Sequence, residues 1–308
     1  MTDTGNHRRP YNQGAMSTSL TSSRRIVTGI AVLVVLLAAV TRAQQQSVPV
    51  GSTLGTVGSG VPGEGSTPGS RSAPTGPTPR LPNGRPDFNG VWDHPYVPDM
   101  SLSARNVAQQ KGAGPLPFTP AGTDNIKSYD PEKDGDYTGM CMPYGLTRSF
   151  NGPFPIQIMQ TDRHVAFLFE MGTWFHVVPF KDAHSAEPNP TWFGESIAKW
   201  DGDTLIVDTI GFNGWSRLDT RGHPHSDKLH VVQTFRRHDA GHIAYTVTIT
   251  DPVYYTKPWT NERTFTLTTG ELIEYSCQEN NRSLLEGRIK PWTVPGSEPL
   301  RNPVLGKK

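Results

Sequence analysis

Ile243, Tyr245, Val247 and Ile249 alternate with Ala244, Thr246, Thr248 and Thr250. An extended chain points successive side chains to opposite faces, so this segment has one apolar and one polar face. Such a strand belongs in an antiparallel sheet with one face covered. Further segments of strand character lie on either side of turn signals. Residues 194–200 and 203–209 flank Asp201-Gly202, and Asp-Gly accepts the positive φ angles of a tight hairpin. Residues 229–237 and 242–250 flank Asp239-Ala240-Gly241. Residues 155–160 and 165–170 flank Thr161-Asp162-Arg163-His164, residues 173–180 form another strand, and 263–269 with 272–278 form a last pair. A short helix fits residues 281–288. The pattern predicts a mainly β fold, an antiparallel meander of about eight to ten strands. Closing it into a barrel leaves no exposed edge strand, so a closed barrel is the expected architecture.

The flanking segments have other signatures. Arg24 and Arg25 precede an apolar or small run over residues 26–40. That run is shorter than the roughly 20 residues a membrane span needs, and it suits the apolar region of a signal peptide. Thr41-Arg42-Ala43 places small residues for cleavage before Gln44, and Ser23-Arg24-Arg25-Ile26-Val27 resembles a twin-arginine signal. Residues 1–43 therefore predict a signal peptide, starting at Met1 or Met16, with a membrane anchor at residues 26–40 as the alternative. In residues 44–80, 25 of 37 positions are Gly, Pro, Ser or Thr and none is aromatic, which predicts a disordered linker. Residues 81–300 form one β domain, and 301–308 form a tail. The Pro/Gly-rich part up to Gly152 lacks periodicity and is expected to wrap the domain outside its core.

A formal charge of +1 with scattered basic residues argues against nucleic acid as a partner. A membrane partner is expected only through an uncleaved N-terminal segment. Export to the periplasm or medium would let Cys141 and Cys277 pair, and two cysteines are an even count. Two buried thiols or a thiolate metal site are the alternatives.

Gly90-Val91-Trp92 resembles the Gly-x-Trp signature of lipocalins and other calycins. In those barrels the tryptophan closes one end beneath a basic residue from near the last strand, and Arg282 stands where that residue would be expected. A wider set of motifs runs from Pro86-Asp87-Phe88-Asn89 through Cys141-Met142-Pro143-Tyr144-Gly145 and Trp200-Asp201-Gly202-Asp203 to Lys257-Pro258-Trp259 and Cys277-Gln278-Glu279. Together they resemble a large group of uncharacterised exported bacterial proteins. That resemblance implies export and a shared fold, and carries no activity with it.

The densest polar stretch is residues 211–227, with His223-Pro224-His225 followed by His230. Imidazoles two residues apart on an extended segment project to one side. The spacing suits a divalent metal held by His223, His225 and His230, with Asp219 or Asp227 as an oxygen ligand. Solvated loop histidines are the alternative. For acid–base chemistry the candidates are Glu170, which ends an apolar strand, and Asp219. Asp203 and Asp208 read as turn and strand-end carboxylates. Trp92 and Trp200 read as core, whereas Trp215 and Trp259, in polar or Pro-containing loops, read as ligand-stacking groups. No serine-hydrolase elbow, phosphate loop, dinucleotide fingerprint or Cys-x-x-Cys is present. The expected function is binding of a small amphipathic or aromatic molecule in a barrel mouth. The alternatives are an enzyme (lyase, isomerase or hydrolase) using the same cavity, and an envelope protein binding glycan or protein.

Overall fold

The computed structural model describes residues 73–105, 108–279 and 281–295. The expected signal peptide or anchor, the linker as far as residue 72, and the tail lie outside the described residues.

The strands are β1 (Gly90–Asp93), β2 (Gln110–Lys111), β3 (Ile156–Gln160), β4 (His164–Phe169), β5 (Phe175–Pro179), β6 (Glu195–Asp201), β7 (Thr204–Ile210), β8 (His230–Arg237), β9 (His242–Thr250) and β10 (Trp259–Thr268). They form one 10-stranded sheet in the order β5-β4-β3-β1-β10-β9-β8-β7-β6, with β2 attached to β10 off that path. Every ladder is antiparallel. The strand that comes first is zipped to the last: Val91 lies opposite Thr268 on one side and opposite Gln157 on the other.

The path is open between β5 and β6. Leaving β2 aside, nine strands make up the path, and an odd number of alternating strands leaves its two ends running the same way. A parallel pair needs a return connection of a dozen residues or more, and residues 180–194 make that return. The two edges touch through one parallel bridge, Phe180 with Ala198. They are also joined by a 2.8 Å hydrogen bond between His176 Nε2 and Ser196 Oγ, and by Phe180 stacked on Trp200 at 6.0 Å. No backbone ladder joins them among the described residues.

The expected strand over residues 272–278 does not form, and β10 is instead longer at its start, from Trp259. The reason lies in the partners of β10. One edge pairs with β9, and the other is shared by β2 at Glu262–Arg263 and by β1 at Thr266–Thr268. No edge is left for a hairpin partner. The N-terminal wrap also differs from expectation, because β1 sits in mid-sheet and Phe88, Trp92, Met100, Leu146 and Phe150 belong to the core. Short helices α1 (Pro120–Ser128), α2 (Pro131–Asp134) and α3 (Leu146–Phe150) occupy this region, with α4 (Arg282–Leu285) inside the expected C-terminal helix. Prolines open α1 and α2 at the position where a helix tolerates them, capped by Thr119 and Asp130. Thr78 and Arg80, which composition places in the linker, bond to Arg237 O and Asp203 at 2.9 Å.

The covered face is filled by rings. Phe150 stacks on Tyr245 at 5.6 Å, Tyr245 on Phe265 at 4.8 Å, and Phe167 on Phe235 at 5.1 Å. Each such ring, fully buried, contributes about 1.5–3 kcal/mol of hydrophobic stabilisation. Because neighbouring strands alternate in direction, the connections alternate between two ends. Turns 161–163, 202–203 and 238–241 lie at one end, and loops 94–155, 170–174, 211–229 and 251–258 at the other. At the short-turn end Trp92 is fully buried, and the Arg237 guanidinium lies over its ring, 4.9 Å from the centroid. Arg237 comes from the end of β8, whereas the expected partner, Arg282, lies on α4.

Candidate functional site: a walled cavity at the loop end

Loop 211–229 gets its shape from two carboxylates. Asp219, fully buried, accepts from the backbone N–H of Met100 (2.8 Å), Gly222 (3.1 Å) and His223 (3.2 Å), and from His223 Nδ1 at 2.6 Å. Asp251 accepts from Ser226 N at 2.5 Å and Ser226 Oγ at 3.0 Å, while Tyr255 O–H donates to Pro224 O at 2.9 Å. The segment between these clips, Pro224-His225, is thereby fixed against Ser216.

Ser216 Oγ lies 2.7 Å from His225 Nε2, and both residues are buried. His225 Nδ1 lies 3.1 Å from Ser226 O, a carbonyl that can only accept. The ring therefore carries its proton on Nδ1, and bare Nε2 accepts from the serine hydroxyl. Burial is the main cause that lowers the His225 pKa to about 4, so the ring is neutral at physiological pH. Room for the pair comes from Gly145, whose φ is +84° and on which a Cβ would stand 2.4 Å from Ser216 Oγ.

The pair borders a cavity of about 290 Å³ whose walls include Tyr129, Tyr137, Trp215, Arg217, Tyr254 and Trp292. Trp192 ties this wall together, stacking on Tyr137 at 5.7 Å and meeting Trp215 and Trp292 at 5.8 Å each. Arg217 lies 4.3 Å over the Tyr129 ring. Its guanidinium donates to Asn125 Oδ1 at 2.5 Å and to Gly222 O at 3.4 Å, and among the described residues it has no carboxylate partner. Burial lowers its pKa below the usual arginine value.

The residues singled out from sequence are dispersed. Trp215 and His225 line the cavity. Asp219 is the clip described above and not a free acid. Glu170 is buried and accepts from Ile273 N at 3.1 Å, holding the segment after β10. Trp259 is a core residue at the start of β10, packed edge-on against Tyr255 at 5.4 Å, and not a loop ligand. Asp203 pairs with Arg80, and Asp227 with Lys228. The imidazoles of His223, His225 and His230 go to three different partners: Asp219, Ser216 and, at 3.0 Å, Asp208. Two donor groups converge within 4.8 Å among the described residues, His238/Asp239/His242 and Asp99/Asp219/His223. Neither contains His225 or His230, so the expected three-histidine centre is not assembled. Ser216, Arg217, Tyr137 and Trp292 escaped sequence reasoning. Ser216 and Arg217 sit beside Trp215 in the histidine loop, where a serine nine residues before a histidine was the available signal. Tyr137 and Trp292 come from distant segments that carry none.

Cys141 and Cys277 form a disulfide with a Cα–Cα distance of 5.5 Å. It anchors the segment after β10 beside Tyr137 and Tyr144 and suits an oxidising compartment. Among the described residues no helix is long and apolar enough to cross a membrane. Compared with protein-family models, curated proteins and solved structures, the chain matches none.

Proposed function

We propose that this exported protein is a calycin-like barrel that binds a small aromatic or amphipathic anion in the loop-end cavity. The observation that carries the reading is Arg217, a part-buried cation on an aromatic wall with no carboxylate partner among the described residues. A buried charge is costly unless a counter-charge reaches it, and a ligand carboxylate or sulfonate supplies one with bidentate geometry. Tyr137, Trp215 and Trp292 offer rings for the ligand's flat or apolar part. The cavity lies beside the loops and not within the ring-filled covered face, so the ligand sits at the rim of the sheet.

The barrel reading is supported by the strand order, in which first and last strands pair and β5 and β6 meet edge to edge. It is also supported by Trp92 of the Gly-x-Trp tripeptide lying beneath Arg237. Export is supported by the disulfide.

The test is titration of the full chain with naphthoate, benzoate, naphthylamine and hexanoate, followed by tryptophan fluorescence. Saturable quenching by the aromatic carboxylates is expected, at least tenfold tighter than by the amine. Arg217→Gln should weaken carboxylate binding about tenfold or more. Equal binding of amine and carboxylate, or no saturable quenching, would overturn the reading.

A further inference from the structure

We propose that Ser216 and His225 act as nucleophile and general base, and that the protein hydrolyses small aryl or arylalkyl carboxylic esters in this cavity. The inference rests on the reading of the cavity given above and adds a reaction to it.

Nucleophilic catalysis by serine needs a base within hydrogen-bond reach of the hydroxyl, held by a third group in the tautomer that leaves the facing nitrogen bare. All three parts are present: Ser216 Oγ at 2.7 Å from His225 Nε2, and the Ser226 carbonyl at 3.1 Å from Nδ1. The orienting group is a backbone carbonyl, fixed because Asp251 holds the N–H and hydroxyl of Ser226. A second buried serine–histidine bond, Ser196 with His176, provides a contrast. It lies at the junction of β5 and β6, and Ser196 Oγ is also bonded to Thr209 Oγ1 at 2.7 Å. In that pair the serine is shared with a second hydroxyl at a strand junction, whereas Ser216 and His225 both line the loop-end cavity.

In the first step Ser216 Oγ attacks the ester carbonyl carbon while His225 Nε2 takes the hydroxyl proton. The tetrahedral oxyanion collapses, the bond to the alkoxy group breaks, and His225 returns the proton to the leaving alkoxide. A water then attacks the acyl-serine, giving its proton to Nε2. The carboxylic acid leaves as the serine oxygen recovers that proton. The aromatic carboxylate so formed is the ligand class proposed for Arg217. The charged groups felt by His225 oppose each other: Asp251 raises its pKa and Arg217 lowers it, while burial outweighs both. The base therefore stays unprotonated well below the usual histidine range.

The experiment treats the full chain with an alkyl fluorophosphonate and reads intact mass and peptide map. Alongside it, hydrolysis of p-nitrophenyl acetate and p-nitrophenyl benzoate is followed from about pH 3.5 to 8, a range that brackets the folded and ordinary histidine values. One adduct, on Ser216, is expected, with benzoate ester preferred and an acid limb near pH 4 in place of about 6.5. Ser216→Ala should lose the adduct and at least a hundredfold in rate. Ser216→Cys, of nearly equal shape, should gain alkylation by iodoacetamide at position 216 that His225→Gln slows. An adduct elsewhere, no adduct, or a thiol at position 216 that stays unreactive in the folded Ser216→Cys variant would overturn the proposal. Carboxylate quenching without labelling leaves the binding reading standing and removes the reaction. Labelling of Ser216 without carboxylate quenching does the reverse.

Discussion

The guanidinium of Arg237 lies over the indole of Trp92 at the short-turn end of the sheet, away from the cavity bordered by Ser216. It also donates to three backbone carbonyls, of Asp87, Asp239 and Ala240. Removing it uncovers a fully buried ring and leaves those acceptors unpaired. Arg237→Ala should therefore cost about 2–4 kcal/mol in urea denaturation, combining cation–π and charge-assisted hydrogen-bond losses. Arg282→Ala, at an exposed residue of α4, should stay within about 0.5 kcal/mol. An inverted order would show that the arginine near the C-terminus closes this end.

The disulfide spans 136 residues of sequence. On the chain-entropy model, closing so long a loop stabilises by about 4–5 kcal/mol. Unreduced, denatured protein should titrate no thiol. Reduction should lower the urea midpoint by a corresponding amount.

Asp219 is the acceptor for four donors around the tip of loop 211–229. Asp219→Ala should leave Met100 N and the loop amides without a partner, at a cost of about 3–5 kcal/mol, and lower the melting temperature by about 10 °C. If Asp219 were chiefly an acid catalyst, the variant would keep its melting temperature and lose only turnover.

At Gly145 a side chain must meet Ser216, because a Cβ would lie 2.4 Å from its Oγ and 2.8 Å from its Cβ. The positive φ adds strain for any other residue. Gly145→Ala should destabilise by about 1–3 kcal/mol. It should also lower the quenching of cavity tryptophans by naphthoate, which titration of the variant would read.

His94, His176 and His225 are all buried, and burial lowers each pKa to about 4. The unfolded chain binds these protons near about 6.5, so it is the unfolded state that gains protons as the pH falls. Stability is thus fully present above about pH 6.5 and is lost between about 6.5 and 4, with up to about 1.4 kcal/mol per pH unit from each ring. His94 is the cleanest probe, because its ring lies against Phe265 at 5.2 Å and the charge of Arg263 acts in the same direction as burial. His94→Phe should flatten the slope of stability against pH in this window by up to one ring's share. An unchanged slope would mean that His94 titrates outside it.

The sequence by itself determined the hairpins. Alternation in residues 242–250 and the turn at Gly202 are local properties, set by the two-residue period of an extended chain and by one glycine's tolerance of positive φ, here +54°. β6 to β9 accordingly lie close to where the pattern puts them. It also pointed to the loop that carries Trp215 and His225, because polar and aromatic residues concentrate there. What it left open depends on partners far along the chain. Residues 272–278 have an extended pattern, but β1 and β2, from far earlier in the chain, already occupy the edge they would join. The closely spaced histidines look like one ligand set, yet Asp219, Ser216 and Asp208 each claim one. Tyr137 and Trp292 become cavity walls only where the chain folds back beside Arg217. Periodicity and turn chemistry act over a few residues and can be read in order. Edge occupancy, hydrogen-bond partners and cavity walls are assigned by packing across the whole chain, and only the tertiary structure decides them.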